Sequence, residues 1–195
     1  SIFFFGIYFF ALSSKYLLVV FGTFVYLLVL YEIIRFFNKF LFKTILLYLL
    51  LSYFFFNLYF FISYDFLIFN IFVFTIILFD SFSYFAGKIF GKNHIFKFIS
   101  PKKTLEGYLG GVFFTNISMV SYFFFMNVEI KFILVFILVN LTIFFSILGD
   151  LIESYFKRKN NIKDSSSYLP GHGGFFDRFD SFIASIIMLT IFNLL

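Results

Sequence analysis

Residues 149–181 read GDLIESYFKRKNNIKDSSSYLPGHGGFFDRFDS. The stretch holds five of the chain's ten acidic residues, five of its fifteen basic ones and one of its two histidines. Elsewhere the chain is mostly Phe, Ile, Leu, Val and Tyr. Polar residues at this density inside an apolar chain are costly unless they meet solvent or serve a function. The composition around them sets the class. With 195 residues, 62% hydrophobic content, a mean hydropathy of +1.02 and 13% charged residues, the chain is far from a soluble domain, in which about a quarter of residues are charged. It reads as an all-α, polytopic integral membrane protein of about five to seven transmembrane helices, one domain over residues 1–195, with its polar loops on the cytoplasmic side.

Within the polar stretch, a continuing helix puts Asp150, Glu153, Ser154 and Lys157 at i, i+3, i+4 and i+7, on one face, with Arg158 beside it. The helix breaks at Asn160 and Asn161, and residues 165–174, with Pro170 and the GHGG run, cannot lie inside a helix. A second helix is expected from near Phe175. There Asp177, Asp180 and Ser181 share a face and Arg178 turns away from it. Two carboxylate-bearing helix ends joined by a Gly-rich loop suit a hard divalent cation, which prefers carboxylate oxygens. Lys157, Arg158, Lys163 and Arg178 around it suit phosphates. A lone Lys or Arg beside a membrane helix is ordinarily only a topology determinant, and a lone Asp pair a cap or surface ion pair. The combination, with no soluble domain to decorate, favours a site.

The order S-x-x-K-R, K-D, P-G-H-G-G and D-R-x-D, carried by Ser154, Lys157, Arg158, Lys163, Asp164, Pro170, Gly171, His172, Gly173, Gly174, Asp177, Arg178 and Asp180, resembles the signature of the phosphatidate cytidylyltransferase (CDP-diacylglycerol synthase) family. A second segment is similar to the same family: D-S-x-S-Y-x-x-G-K-x-x-G-K over residues 80–92 and S-P-K-K-T-L-E-G over residues 100–107. The family more often has Trp at the place of Leu105 and Asn or a similar residue at the place of Lys102. The resemblance implies that Asp150 and Asp177 hold a catalytic Mg²⁺, with help from Asp180, a second cation being left open. It implies that the basic residues and His172 lie near the phosphates, and that Asp80, Lys102, Lys103 and Glu106 shape the nucleotide end. Ser154, Asp164, Gly171, Gly173 and Gly174 complete the substrate contacts, the glycines letting backbone N–H groups approach a phosphate.

Along the chain, residues 1–14 form an apolar run too short to cross a hydrocarbon layer of about 30 Å, which takes roughly 20 residues. It reads as a shortened first helix; a signal peptide would need a basic start and a small-residue cleavage site. Residues 16–37 form a full span with Glu32 and Arg35 near its end, read as interfacial and without a catalytic role. Arg35, Lys39 and Lys43 mark a basic turn. Residues 44–87 carry no Lys or Arg and provide two spans hinged near Ser63, Tyr64 and Asp65, so the basic turn lies in the cytoplasm and the hinge outside. Asp80 lies fourteen residues into the second of these spans, with hydroxyls beside it at Ser81 and Ser83; an acid at that depth must face protein, water or a cation. Lys88, Lys92, Lys97, Lys102 and Lys103 form a second basic loop, broken by Pro101, and Thr104 caps the next span with Glu106 in its first turn. Spans follow over residues 105–126 and 132–148, the latter delivering Asp150 to the cytoplasmic boundary, and residues 182–195 form a short final run. Alternation alone puts both polar segments on one side.

The absence of Cys excludes disulfides and Cys-based zinc or redox sites. Forty-one Phe and thirteen Tyr with no Trp reflect coding drift and mark no binding stripe. The net charge of +5 suits an anionic lipid surface or a phosphorylated substrate. Nucleic acid is not expected, because the charges sit in short loops with no extended basic face.

The resemblance implies that CTP and phosphatidate react to give CDP-diacylglycerol and pyrophosphate, at the cytoplasmic face of a bacterial inner membrane. The partners are then CTP, phosphatidate and the bilayer, with the oligomeric state, a homodimer included, left open. The competing readings are a related membrane CTP-using enzyme, such as a polyprenol kinase or an ether-lipid cytidylyltransferase, and a transporter. A transporter would line a path with polar residues on several spans, which residues 40–62 do not supply.

Overall fold

The computed structural model describes residues 14–37, 41–96, 98–101, 103–125, 130–166, 168 and 173–194. The described residues form six α-helices: α1 Lys15–Phe36, α2 Phe42–Leu58, α3 Phe66–Phe90, α4 Leu105–Phe125, α5 Phe132–Lys159 and α6 Phe176–Leu194. Five of the described segments are long and apolar enough to cross a membrane; α2 does so together with one π-helical turn, Tyr59–Ser63. The sixth, α6, has nineteen residues and opens on charged side chains. The all-helical reading and the span boundaries near Lys15, Phe66, Leu105 and Phe132 hold. The run over residues 1–13 lies outside the described residues.

The hinge between α2 and α3 follows from local chemistry. Asp65 leaves the helix with extended backbone, and its Oδ1 accepts the Ile68 N–H at 2.8 Å, satisfying one of the donors that a helix start leaves open. Thr104 does the same for α4, its hydroxyl accepting the Gly107 N–H at 3.2 Å. In apolar surroundings hydrophobicity alone does not hold helices together, so close approach and interhelical polar bonds matter more. The helices α3 and α4 meet along Gly107, Gly110 and Gly111, where Cβ atoms would collide with Ser83, Ala86 and Phe79. Asn116 of α4 and Asn140 of α5 exchange amide bonds at 3.0 and 3.3 Å. Ser52 of α2 donates to the Ile183 carbonyl of α6 at 2.6 Å and shares a hydrogen bond with the Tyr26 hydroxyl of α1, so three helices meet at one buried hydroxyl pair.

Two features of α5 position the site. Its 28 residues make it about 42 Å long, well beyond a hydrocarbon layer of about 30 Å. Its last three turns carry Asp150, Glu153, Ser154 and Lys157. At Gly149 the α6 backbone comes so close that a Cβ would fall on the Asp180 carbonyl oxygen and 2.8 Å from the Ala184 Cβ. Gly149→Val is expected to cost about 1–3 kcal/mol through overpacking, read as a lower thermal unfolding midpoint in detergent.

Candidate active site

The two polar segments face one cavity of about 1500 Å³. Asp80, Lys103, Asp150, Ser154, Lys157, Arg158, Lys163, Asp164, Gly173, Asp177, Arg178 and Asp180 all line it. Arg178, placed off the acidic face by its helical position, still reaches this space through its long side chain. The cavity continues between apolar side chains of α1 and α3, among them Leu18, Phe21, Val25, Val29, Phe69 and Val73. Lys102, Gly171 and His172 lie outside the described residues.

Ion pairs organise the charged end. Lys103 binds the Asp150 carboxylate. The Lys157 ammonium sits between two acids, 2.7 Å from Glu153 Oε2 and 2.6 Å from Asp177 Oδ1. Asp177 Oδ2 accepts three donors: the Ser165 N–H at 2.8 Å, the Ser165 hydroxyl at 2.9 Å and the Gly174 N–H at 2.8 Å. Burial works against the charged form of Asp177, and the hydrogen bonds it accepts together with the Lys157 ammonium more than offset it, holding this carboxyl at about 2. Burial also lowers the pKa of the Lys103 ammonium, against the pull of Asp180, Asp80 and Glu153. The Arg158 guanidinium donates from Nε to the Ile99 carbonyl at 3.1 Å, fastening the end of α5 to the loop that precedes α4.

Several expected residues have other work here. Glu106 does not line the cavity; its carboxylate accepts the Lys92 and Asn93 N–H groups at 3.1 Å and the Asn93 amide at 2.7 Å, which folds residues 91–104 back onto the start of α4. Ser81 and Ser83 bond to carbonyls of their own helix, at Ile77 and Asp80, so their hydroxyls are not spent on the Asp80 carboxylate. Asp80 is exposed to the cavity.

The reading of Glu32 as interfacial is corrected, while Arg35 stays exposed at the end of α1. Glu32 is fully buried, and its carboxylate accepts Ser166 Oγ at 2.6 Å, the Phe175 N–H at 2.8 Å, the Phe176 N–H at 2.9 Å and Ser165 Oγ at 3.1 Å. Arg35 Nη1 donates to the Tyr31 and Tyr168 hydroxyls at 2.8 Å each. The physical reason is burial: Glu32 lies within an apolar helix, and among the described residues its hydrogen-bond partners come from the loop before α6 and from the start of α6. The rule that flags Asp80, that an acid deep in a span needs a partner, applies equally to Glu32.

Among the described residues no three His, Cys, Asp or Glu side chains are grouped closely enough to hold a metal ion as they stand. Lysine ammonium groups occupy the positions expected for a cation, on Asp150 and on Asp177. The donor set nevertheless fits a hard divalent ion: it consists of carboxylates, Asp180 is buried, and both Glu153 oxygens are buried with no hydrogen bond beyond the Lys157 ion pair.

Membrane-length helices that gather acids and bases around one end of a cavity, and apolar side chains around the rest of it, define a polytopic membrane protein. The model of the cytidylyltransferase family matches residues 1–195, and the chain belongs to that family. It is 43% identical over 115 residues to a phosphatidate cytidylyltransferase of Staphylococcus aureus (strain COL), 40% over 112 residues to that of Staphylococcus haemolyticus, and 41% over 112 residues to that of Staphylococcus saprophyticus. Each match covers 57% of this chain and 43% of the relative, so the chain matches less than half the length of these relatives.

Proposed function

We propose that the protein transfers the cytidylyl group of CTP to phosphatidate, giving CDP-diacylglycerol and pyrophosphate, at the cytoplasmic face of a bacterial inner membrane. The observation that carries this reading is the single cavity with a charged end and an apolar end. At about 1500 Å³ it exceeds the roughly 300–1000 Å³ of an ordinary small-molecule pocket, leaving room for a nucleotide beside a lipid head group. The names of the relatives support the same substrates.

The phosphatidate phosphate is already an anion near neutral pH, so no strong base is needed. One of its oxygens bonds to the α-phosphorus of CTP, the α-phosphorus bond to the oxygen bridging to the β-phosphate breaks, and pyrophosphate leaves with that oxygen. The difficulty is the mutual repulsion of two polyanions, and the residues act by positioning and neutralisation. Lys157, Arg158, Lys163 and Arg178 offset the charge of the attacking and departing phosphates, with His172 and the glycines at 171 and 173 donating further bonds, while the Gly174 N–H holds Asp177. Asp150, Asp177 and Asp180 would hold Mg²⁺, which supplies Lewis-acid neutralisation of the triphosphate when bound. Lys103 and Lys157, paired with Asp150 and Asp177 in this structure, would supply ammonium groups to neutralise phosphate oxygens beside those acids. Apolar side chains of α1 and α3 keep the acyl chains in the bilayer.

The test is the purified protein in detergent micelles with phosphatidate and CTP labelled at the α-phosphate. Label appearing in lipid-extractable CDP-diacylglycerol, with stoichiometric pyrophosphate, is the expected result. Release of CDP with transfer of the γ-phosphate to a lipid alcohol would replace this reading with a kinase.

A further inference from the structure

We propose that Glu32 is a positioning residue of this site: a carboxylate buried in α1 that caps α6 from another helix and holds both ends of the loop carrying residues 165–174. Phe175 and Phe176 are the residues where α6 begins, and their N–H groups are among those a helix start leaves without an internal partner. In most helices a nearby Ser, Thr, Asp or Asn accepts such donors. Here both go to Glu32, 143 and 144 residues away in the chain. The negative charge also meets the positive end of the α6 dipole.

The other two donors come from the opposite end of the loop, Ser165 and Ser166. These four donors are neutral, and two lie against each carboxylate oxygen, the Ser165 hydroxyl shared with Asp177. A buried carboxylate is tolerated when its lone pairs are satisfied in this way. Ser165 Oγ lies 3.1 Å from Glu32 and 2.9 Å from Asp177, so one hydroxyl, with a single proton, stands between the two acids. Gly174 shows how tight the arrangement is: a Cβ there would fall on Ser165 Oγ and 2.7 Å from both Glu32 oxygens. Arg35, one turn further along α1, holds Tyr168 of the same loop. Thus α1 touches the loop at its start, middle and end, and Glu32 fixes where the first turn of α6 presents Asp177.

The inference rests on the functional reading above for its effect on turnover, but not for its structural content. Glu32→Gln keeps the shape and replaces one pair of acceptor lone pairs by an N–H₂ group, which faces donors whichever way the amide turns. Backbone hydrogen exchange at Phe175 and Phe176 is expected to rise about tenfold or more in this variant, with the middle of α6 unchanged. kcat is expected to fall by about 10²-fold, the scale of a small misplacement of reacting groups, while KM for phosphatidate stays within about twofold. Ser166→Ala, which removes one donor and leaves α1 intact, should move both readouts in the same direction by less, and serves if the Glu32 variant fails to fold. Unchanged exchange and kcat in the folded variants would overturn the proposal, and so would faster exchange with full turnover. A wild-type protein without cytidylyl transfer would defeat the functional reading, while the exchange data would still decide whether Glu32 holds the loop.

Discussion

Replacing Asp177 with Asn is expected to lower cytidylyl transfer by on the order of 10²–10³-fold at saturating magnesium, the scale of losing one preorganised electrostatic group in a reacting site. The reason is twofold. Asparagine removes the negative charge from a proposed cation ligand, and it cannot satisfy the present bonds. One carboxylate oxygen accepts two donors from Ser165 and one from Gly174, while the other accepts the Lys157 ammonium. An amide N–H₂ in either position meets donors, so the loop loosens as well as the site losing charge. Asp150→Asn separates the two effects, because among the described residues Asp150 is bonded to the Lys103 side chain and to no loop backbone. Its rate loss should be comparable and its loss of thermal stability smaller. Initial rates over a magnesium series, with unfolding midpoints in the same detergent, check both. Near-native turnover by Asp177→Asn would remove Asp177 from the metal site.

Lys157→Met carries the largest expected effect on stability. The ammonium pairs with both Glu153 and Asp177, with side chains only 12%, 1% and 10% exposed. Without it two acids remain close together and poorly solvated. Breaking a buried pair by removing one partner costs about 3–5 kcal/mol, mostly from the charge left behind. For a chain of this size that is a fall of roughly 6–20 °C in unfolding midpoint. Adding Glu153→Gln should recover much of the loss, because the two side chains form one network and their effects are not additive. A Lys157→Met protein as stable as the parent, with no response to the second change, would show that the acids are better hydrated than their burial implies.

The spans were legible because long apolar runs alternate with charged turns. The hinge at Asp65, the cap at Thr104, the break at Asn160 and the restart of helix near Phe175 each rest on residues within a few positions of one another. Side-chain pairing across the chain was not legible. Charge alternation puts residues 80–107 and 149–181 on one side, yet nothing local says that Lys103 reaches Asp150 or that Arg158 reaches the Ile99 carbonyl. Glu32 is the sharpest case: its partners lie 133–144 residues downstream, so the position looked like an ordinary helix end. Glu106 shows the converse. Its charge suggested a ligand contact, and its neighbours at residues 92 and 93 use it to shape a loop.

The surplus length of α5 sets where chemistry can happen. Its apolar portion, at about 1.5 Å per residue, is long enough to account for most of a hydrocarbon layer of about 30 Å, so the turns carrying Asp150 to Lys157 are length to spare, and the cavity they line continues between α1 and α3. On the proposed function, a diacyl substrate would need no extraction from its leaflet: its phosphate would surface beside the lysines while its chains stay among lipid, and the water-soluble nucleotide would come down to meet it at the waterline.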